Sequence, residues 1–175
     1  MTRQSRIVVC PLVLLLAACA GAPPVAVPDK LKPGGGEALA MIVAAKGVQI
    51  YECRAGKDSV AGYEWVFVAP EAELFDARGN PIGRHGAGPQ WQANDGSTIR
   101  ATVKERAKAP IAGAIPWLLL TARTVGPEGM LSKVTSIQRV NTAGGVAPAT
   151  GCTRDTAGRP ARVDYTADYH FYTGR

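Results

Sequence analysis

Hydrophobic and polar residues alternate along much of the chain after residue 36, which is typical of β-strands with one buried face. The longest alternating run lies near the C terminus, and its apolar face consists of Val163, Tyr165, Ala167, Tyr169 and Phe171. Residues 99–104 alternate in the same way, and residues 63–67 place three aromatic side chains on one face. Residues 47–53 also read as a strand. The pattern therefore predicts a chain built from short strands.

Two further stretches favour strands without this clean alternation. Residues 117–120 form a continuous apolar run after Pro116, which predicts a strand buried on both faces. Residues 131–140 alternate imperfectly, so we expect a β-bulge if they form a strand.

The alanine-rich residues 37–46 are open to two interpretations. They suit either a helix or the first arm of a hairpin that turns at residues 45–47. Turn-forming residues occur at 77–81, 94–97 and 126–129. With about eight short strands expected, the predicted fold class is all-β, a single-domain β-sandwich or barrel.

The composition agrees with this fold class. The 175 residues suit one domain, and they include 20 Gly and 13 Pro, which are the residues of turns. Hydrophobic residues make up 46% of the chain, which excludes disorder over its whole length. Charged residues make up only 19%, which excludes a long solvated coiled coil.

The N terminus has the features of an export signal. Arg3 and Arg6 precede the apolar residues 7–18, a run shorter than the ~20 residues of a membrane-spanning helix. Leu-Ala-Ala-Cys at residues 16–19 resembles the lipobox of bacterial lipoproteins, which implies cleavage before Cys19 and attachment of lipid to its thiol. The alternative is a plain secretory signal that contains a cysteine. Because Ala20 follows, the resemblance implies anchoring at the outer membrane, facing the periplasm.

The predicted organisation has three parts: a signal peptide at 1–18, a tether at 19–36 and a β-rich domain at 37–175. Residues 20–36 contain four Pro and four Gly, so they predict an extended spacer. Alternatively, part of this spacer lies along the domain as an edge segment.

The four cysteines are expected to have different fates in the different parts of the chain. Cys10 leaves with the signal peptide and Cys19 carries lipid, so Cys53 and Cys152 are left for the domain. In an oxidising compartment these two are predicted to form a disulfide, the alternative being two reduced, buried thiols. The chain has no CxxC pair and no Cys/His cluster, so neither a zinc site nor a thioredoxin-like redox role is indicated.

Six strings in order carry a resemblance to a known family: GVQIYEC (47–53), GRHGAGPQW (83–91), DGS (95–97), IPWLLL (115–120), IQRVNTAGGVAP (137–148) and YTADYHFY (165–172). The chain resembles a domain-of-unknown-function family of secreted or lipid-anchored proteins of bacteria and filamentous fungi. The resemblance implies an exported all-β domain and no established reaction, substrate or catalytic residue. Gly86 departs from it, since an aromatic residue is expected after His85.

Residues 83–91 are predicted to form a glycine-shaped binding loop. Arg84, His85 and Trp91 supply polar and aromatic groups, and Asp95 follows closely. Trp91 would offer a flat apolar face to a sugar ring or a peptide. The alternative is a packed loop whose tryptophan caps the core and whose histidine satisfies backbone groups.

Arg139 and Asn141 are candidate binding residues at the end of a predicted strand. The Arg139 guanidinium suits a carboxylate or a phosphate in a bidentate fork. Alternatively, it pairs with Glu52 or Asp168 and holds the sheet together.

The chain has only two histidines, His85 and His170. Asp168 and His170 share one strand face, so together with His85 they would form an open three-ligand metal site. The alternative is that Asp168 and His170 belong to an ordinary solvated strand face. No cofactor is indicated, since the chain lacks a GxGxxG motif after a strand, and no GxSxG nucleophile motif occurs.

The leading functional hypothesis is a non-catalytic envelope lipoprotein that reaches the membrane through its lipid. Its partner would be an envelope glycan, a peptide or a protein. The rival hypothesis is a periplasmic metal-assisted or carbohydrate-active hydrolase that uses His85 with Asp168 and His170. A nucleic-acid partner is not expected, because the net charge of +6 includes two arginines of the signal peptide and the chain has no Lys/Arg run.

Overall fold

A computed structural model describes residues 26–56 and 62–175. The described residues contain two three-residue 3₁₀ helices, at Asp29–Leu31 and Arg154–Thr156. The strands are β1 (Glu37–Ala55), β2 (Tyr63–Phe75), β3 (Pro81–Gly86), β4 (Gln90–Ala93), β5 (Thr98–Ala107), β6 (Trp117–Thr124), β7 (Val134–Gly144) and β8 (Pro160–Gly174).

The eight strands form one closed antiparallel barrel in sequential order. Each strand pairs with the next, and β8 returns to pair with β1 from Glu37–Gly174 to Glu52–Pro160. Closure leaves no edge strand with unpaired backbone groups, because the N–H and C=O groups of β1 hydrogen-bond with those of β8. The all-β prediction is therefore confirmed, and of the two predicted architectures the chain adopts the barrel.

The barrel has a lower and an upper end. The lower end contains the connections at residues 76–80, 94–97 and 125–133, and the upper end contains Gly56, Gly62 and the connections at 87–89, 108–116 and 145–159. The turns predicted at 77–81 and 94–97 both lie in lower-end connections.

Residues 37–46 form a strand and not a helix, so the helix interpretation is wrong, and of the hairpin interpretation only the turn at 45–47 is wrong. They are the first half of β1, which continues through residues 45–47 without a turn. Gly47 is required here because a Cβ would overlap the backbone of Glu71 and Ala72 on β2. Pairing with β8 along the whole segment, with Val43 and Ala45 facing the core, overrides the helix propensity of alanine.

The bulge predicted in residues 131–140 is confirmed. The pairing of β7 with β8 shifts register between Val134 and Ser136, and again between Val140 and Ala143. The doubly buried strand is also confirmed, since residues 117–120 of β6 are all buried.

The last part of the predicted tether lies on the barrel wall. Leu31 is fully buried against Trp117 and Leu119 of β6 and Val140 of β7. Its carbonyl accepts a hydrogen bond of 2.6 Å from Gln138 Nε2. This contact explains why β6 is apolar on both faces. Cys19 and the other residues before 26 lie outside the described residues.

The lower end is closed by a hydrogen-bonded clasp between two connections. Asp95 Oδ1 accepts from the Ser97 backbone N–H at 2.9 Å and from its hydroxyl at 2.6 Å, while Oδ2 accepts from the Met130 N–H at 2.7 Å. Ser97 Oγ in turn accepts from the Leu131 N–H, so Leu131 is held in the core. The bonds from Ser97 and Met130 lower the pKa of Asp95, which keeps it ionised.

The upper end is fastened to β1 and β2. The predicted disulfide is confirmed: Cys53 of β1 is bonded to Cys152 in the 145–159 connection. Tyr51 donates to the Gly145 carbonyl at 2.7 Å, and Trp65 Nε1 donates to the Thr150 carbonyl at 2.9 Å. The long 145–159 connection is therefore fixed at several points.

Replacing both Cys53 and Cys152 with serine is expected to lower the free energy of unfolding by about 4 kcal/mol, because the bond closes a loop of 99 residues in the unfolded chain. Urea denaturation followed by tryptophan fluorescence measures the change. Reductant should bring the wild-type protein to the midpoint of the variant and leave the variant unmoved. Equal midpoints for the oxidised wild type and the variant would contradict the assignment.

Candidate binding pocket

The upper half of the barrel interior contains a cavity of about 470 Å³. Exposed residues Phe67, Val68 and Arg106 border it at the upper end, so the cavity opens there. The wall is mainly apolar and includes Val103, Ile115, Leu118 and Leu120. The polar groups on the lining belong to Gln49, Tyr51, His85, Tyr169, Arg106 and Arg139.

The floor of the cavity comes from the β3–β4 hairpin. Residues 83–91 are not a binding loop as predicted: they are the end of β3, a tight turn and the start of β4. Gly83 is needed because a Cβ would overlap the backbone of Gln92 on the paired strand. The glycines of this segment thus allow close strand pairing and a short turn, and the alternation of the strands points His85 and Trp91 inward.

Three rings pack together at this floor. His85 and Trp91 face each other in register and stack with ring centroids 4.1 Å apart. Tyr169 of β8 meets both edge-on, at 5.2 Å from His85 and 5.4 Å from Trp91. Trp91 is only 1% exposed, so it caps the core and is not a surface platform for a sugar.

His85 is held as a neutral imidazole. Burial lowers the pKa of His85 to about 3. Its Nδ1 lies 2.9 Å from the Gln90 carbonyl oxygen, which accepts only, so Nδ1 carries the proton. The other nitrogen, Nε2, is therefore a hydrogen-bond acceptor.

Arg139 points into the barrel from β7, in register with Leu118 of β6 and Tyr169 of β8. Its Nε and Nη2 atoms donate to the Pro116 carbonyl at 3.2 and 2.8 Å. No ion pair among the described residues includes Arg139. It is a cation inside the barrel without a carboxylate.

The predicted pairing of Arg139 with Glu52 or Asp168 is wrong. Glu52 pairs with Arg54 at 2.9 Å, and Asp168 accepts from Asn141 Nδ2 at 2.8 Å. Both carboxylates lie on the outer side of their strands, whereas the alternation of β7 turns Arg139 inward.

Several neutral donors inside the barrel lack a hydrogen bond of standard geometry to any described residue. They are Gln49 Nε2, Trp91 Nε1 and the hydroxyls of Tyr165 and Tyr169. Burial raises the pKa of both tyrosines, so both hydroxyls keep their protons. Buried polar groups are normally paired, so unpaired ones beside a cavity call for an explanation. Of these residues, Gln49, Trp91 and Tyr169 line the cavity together with Arg139, whereas Tyr165 does not.

The other sequence candidates lie away from this pocket. Arg84 is exposed on the outer face of β3. Asp95 is part of the lower-end clasp, so its place there is structural. Asn141 lies outside the barrel at the β7 bulge, with a φ of 50°, and bonds Asp168. Of the six predicted binding residues, the structure brings together His85, Trp91 and Arg139.

Gln49 and Tyr169 are pocket residues that sequence reasoning missed as site residues. A usable signal existed, because both share a strand face with apolar neighbours: Gln49 with Tyr51 and Cys53, and Tyr169 with Phe171. A polar group on the inward face of a strand is a site candidate in its own right.

The predicted three-ligand metal site is not assembled. Asp168 and His170 project from the outer face of β8, since Tyr169 between them and Phe171 point inward. His85 lies inside the barrel, so the wall separates it from the other two. Within residues 26–56 and 62–175, no group of three His, Cys, Asp or Glu side chains is arranged to hold a metal ion.

These features define an eight-stranded up-and-down β-barrel with an interior pocket open at one end. The chain belongs to a family described as Protein of unknown function (DUF3455), whose model matches residues 33–173 and so spans the barrel almost completely. No curated protein and no solved structure matches the chain. In the part of the chain that the structure describes, no helix has the length and apolar character needed to cross a membrane.

The two histidines are expected to titrate differently. His85 should keep a constant Cε1–H chemical shift from pH 8 to pH 5, because its pKa is about 3, whereas His170, half-buried on the outer face, should titrate at a pKa below its ordinary value. Proton NMR measures both, and His170→Asn assigns the two signals.

The lowered pKa of His85 also makes the stability of the protein depend on pH. An unfolded histidine takes up a proton near pH 6.5 and buried His85 does not, so the free energy of unfolding should fall as the pH drops below about 6.5. Two histidine signals that both titrate near pH 6.5 would contradict the burial of His85.

Proposed function

We propose that this protein is a non-catalytic binding protein that holds one small amphipathic molecule inside the barrel. The observation that carries the proposal is the upper cavity, in which an apolar wall surrounds Arg139 and a few neutral polar side chains, Gln49, Trp91 and Tyr169 among them. Small-molecule sites in proteins typically combine an apolar cleft with a few convergent polar groups.

The size of the cavity supports this function. A volume of about 470 Å³ lies within the ~300–1,000 Å³ range of small-molecule sites. Eight-stranded barrels are just wide enough to fill with side chains or to hold one small ligand. Here the lower half is filled by residues such as Val43, Leu74 and Phe171, which leaves the upper half for a ligand.

The described residues that line the cavity lack most of the nucleophilic and acid–base side chains that hydrolases use. Among the described residues that line the cavity, none is Ser, Thr, Cys, Lys, Asp or Glu. The single histidine there, His85, is stacked on Trp91 with its Nδ1 bonded to a backbone carbonyl. A general base needs a nucleophile or a water to act on and usually a partner that stabilises its charged form. The pocket chemistry therefore favours binding over the rival hydrolase function.

A dye experiment tests the binding function. N-phenyl-1-naphthylamine is neutral and apolar, and its fluorescence rises in an apolar site. We expect the purified protein to enhance the dye signal, and Val103→Trp, which fills the cavity from β5, to abolish the enhancement. Val125→Trp is the matched control, because Val125 is exposed at the opposite end of the barrel.

Circular dichroism shows whether each variant is folded. A folded Val103→Trp protein that enhances the dye as the wild type does would contradict binding in the cavity. Absence of enhancement by the wild-type protein would contradict a site for apolar molecules.

We further propose that the barrel is anchored by lipid on Cys19 to the outer membrane and faces the periplasm. The lipobox-like residues 16–19 support this location, and so does the Cys53–Cys152 disulfide, since disulfides persist in oxidising compartments. A pocket fixed near the membrane would meet small molecules that enter the envelope.

Changing Cys19 to Ala is expected to move the protein from the membrane fraction to the soluble periplasmic fraction, because the acyl chains would have no attachment site. Immunoblotting of fractionated cells measures the shift, and the Cys10→Ala variant, altered within the signal peptide, should stay with the membrane. Membrane association of the Cys19→Ala variant would contradict lipid anchoring.

A further inference from the structure

We infer that the acidic head group of the ligand is a single carboxylate, that it binds Arg139 at the floor of the cavity, and that the apolar body of the ligand points to the upper end. This inference rests on the proposed binding function and names the chemical class of molecule that the cavity takes.

Arg139 has no carboxylate partner among the described residues, and apart from the Pro116 carbonyl its guanidinium interacts with the neutral Tyr169 hydroxyl. The Nε–Nη2 edge is occupied by the Pro116 carbonyl, which also fixes the orientation of the group. The end-on edge has one N–H from each of Nη1 and Nη2, and these two donors are parallel. A carboxylate accepts such a pair in a bidentate fork.

The surroundings of Arg139 add donors for the remaining lone pairs of a carboxylate. Tyr169 lies directly across from Arg139 in the strand pairing, and its hydroxyl interacts with Arg139 and with the Tyr165 hydroxyl. Trp91 Nε1 is buried without a partner among the described residues, and Gln49, which lies against the Tyr165 hydroxyl, lines the cavity with Trp91. Arg139 is only partly buried, and an acidic ligand would give it the carboxylate that it lacks among the described residues.

A single negative charge matches the interior better than a double charge. Arg139 is the cation beside the aromatic floor, whereas Arg106 is exposed at the mouth. His85 next to Trp91 is neutral and presents Nε2 as an acceptor, so it opposes a second negative charge near the floor. A phosphate monoester, which carries up to two charges, would find only one interior cation.

The depth of Arg139 sets the orientation of the ligand. Arg139 is level with Tyr169, whose ring contacts His85 and Trp91 at the floor. The lining also has apolar and aromatic side chains, among them Val103, Ile115 and Phe67, and Phe67 is exposed at the upper end. An acid that enters with its head group first therefore leaves its hydrocarbon or aromatic part against this wall.

The test compares three probes of similar size: 4-phenylbutyrate, its neutral amide 4-phenylbutanamide, and 2-phenylethyl phosphate. Isothermal titration calorimetry on the purified protein gives the dissociation constants. We expect 4-phenylbutyrate to bind at least about tenfold more tightly than the amide, because a hydrogen bond to a charged group is stronger than one between neutral groups. It should also bind more tightly than the phosphate.

Variants locate the head group. Arg139→Gln should weaken 4-phenylbutyrate at least about tenfold and leave the amide nearly unchanged. Tyr169→Phe, which removes only the hydroxyl, should weaken the carboxylate by a smaller factor and serves if Arg139→Gln does not fold. Arg84→Gln is the matched control, since Arg84 is exposed on the outer face of β3 and should alter neither affinity.

The outcomes separate this inference from the proposed function. Equal binding of acid and amide, or acid binding that neither Arg139→Gln nor Tyr169→Phe weakens, would overturn the carboxylate site and leave a binding barrel. Tighter binding of the phosphate would overturn the assigned head group. Binding of the naphthylamine dye without binding of 4-phenylbutyrate would also overturn the inference, and failure of the dye and all three probes would overturn the proposed function with it.

Discussion

The pairing of β8 with β1 is the interaction on which the rest of the structure depends. It joins the two longest strands over nearly their full length, from Glu37–Gly174 to Glu52–Pro160, and it closes the sheet. A closed sheet has an inside and an outside, so the period of two along each strand then decides which side chains share the interior. Every polar group of the pocket is inside for this reason, including Gln49 on β1 and Tyr169 on β8.

The barrel interior is packed in its lower half and contains a cavity in its upper half. At the lower end, aliphatic and aromatic side chains fill the space, and the Asp95 clasp holds Leu131 in the core. At the upper end, Arg139, Gln49 and Tyr169 place polar groups on inward-facing positions beside the cavity, where apolar groups would pack in a filled barrel. The disulfide and the bonds to Gly145 and Thr150 fasten the connection above this less tightly packed half.

Much of the fold could be predicted, and the errors have physical causes. The alternation of apolar and polar residues located the strands that contain Tyr169 and Ile99. Two cysteines remained for the domain of an exported protein, and this located the disulfide. Residues 37–46 were ambiguous because alanine favours helices locally, while strand pairing with a segment 120 or more positions away decided the outcome. Residues 83–91 resembled a loop because glycine serves both turns and close strand contacts, and only the paired backbone tells these uses apart.

The sequence by itself determined the all-β class, the places of the three lower-end turns, the two cysteines that pair, and a set of chemically capable residues. Only the tertiary structure decided which of those residues meet. It placed His85, Trp91 and Arg139 around one cavity, and it sent Arg84, Asp95 and Asn141 elsewhere. The physical reason is that neighbours inside a barrel come from strands far apart in the chain. Their convergence depends on closure and register, which local patterns of hydrophobicity do not contain.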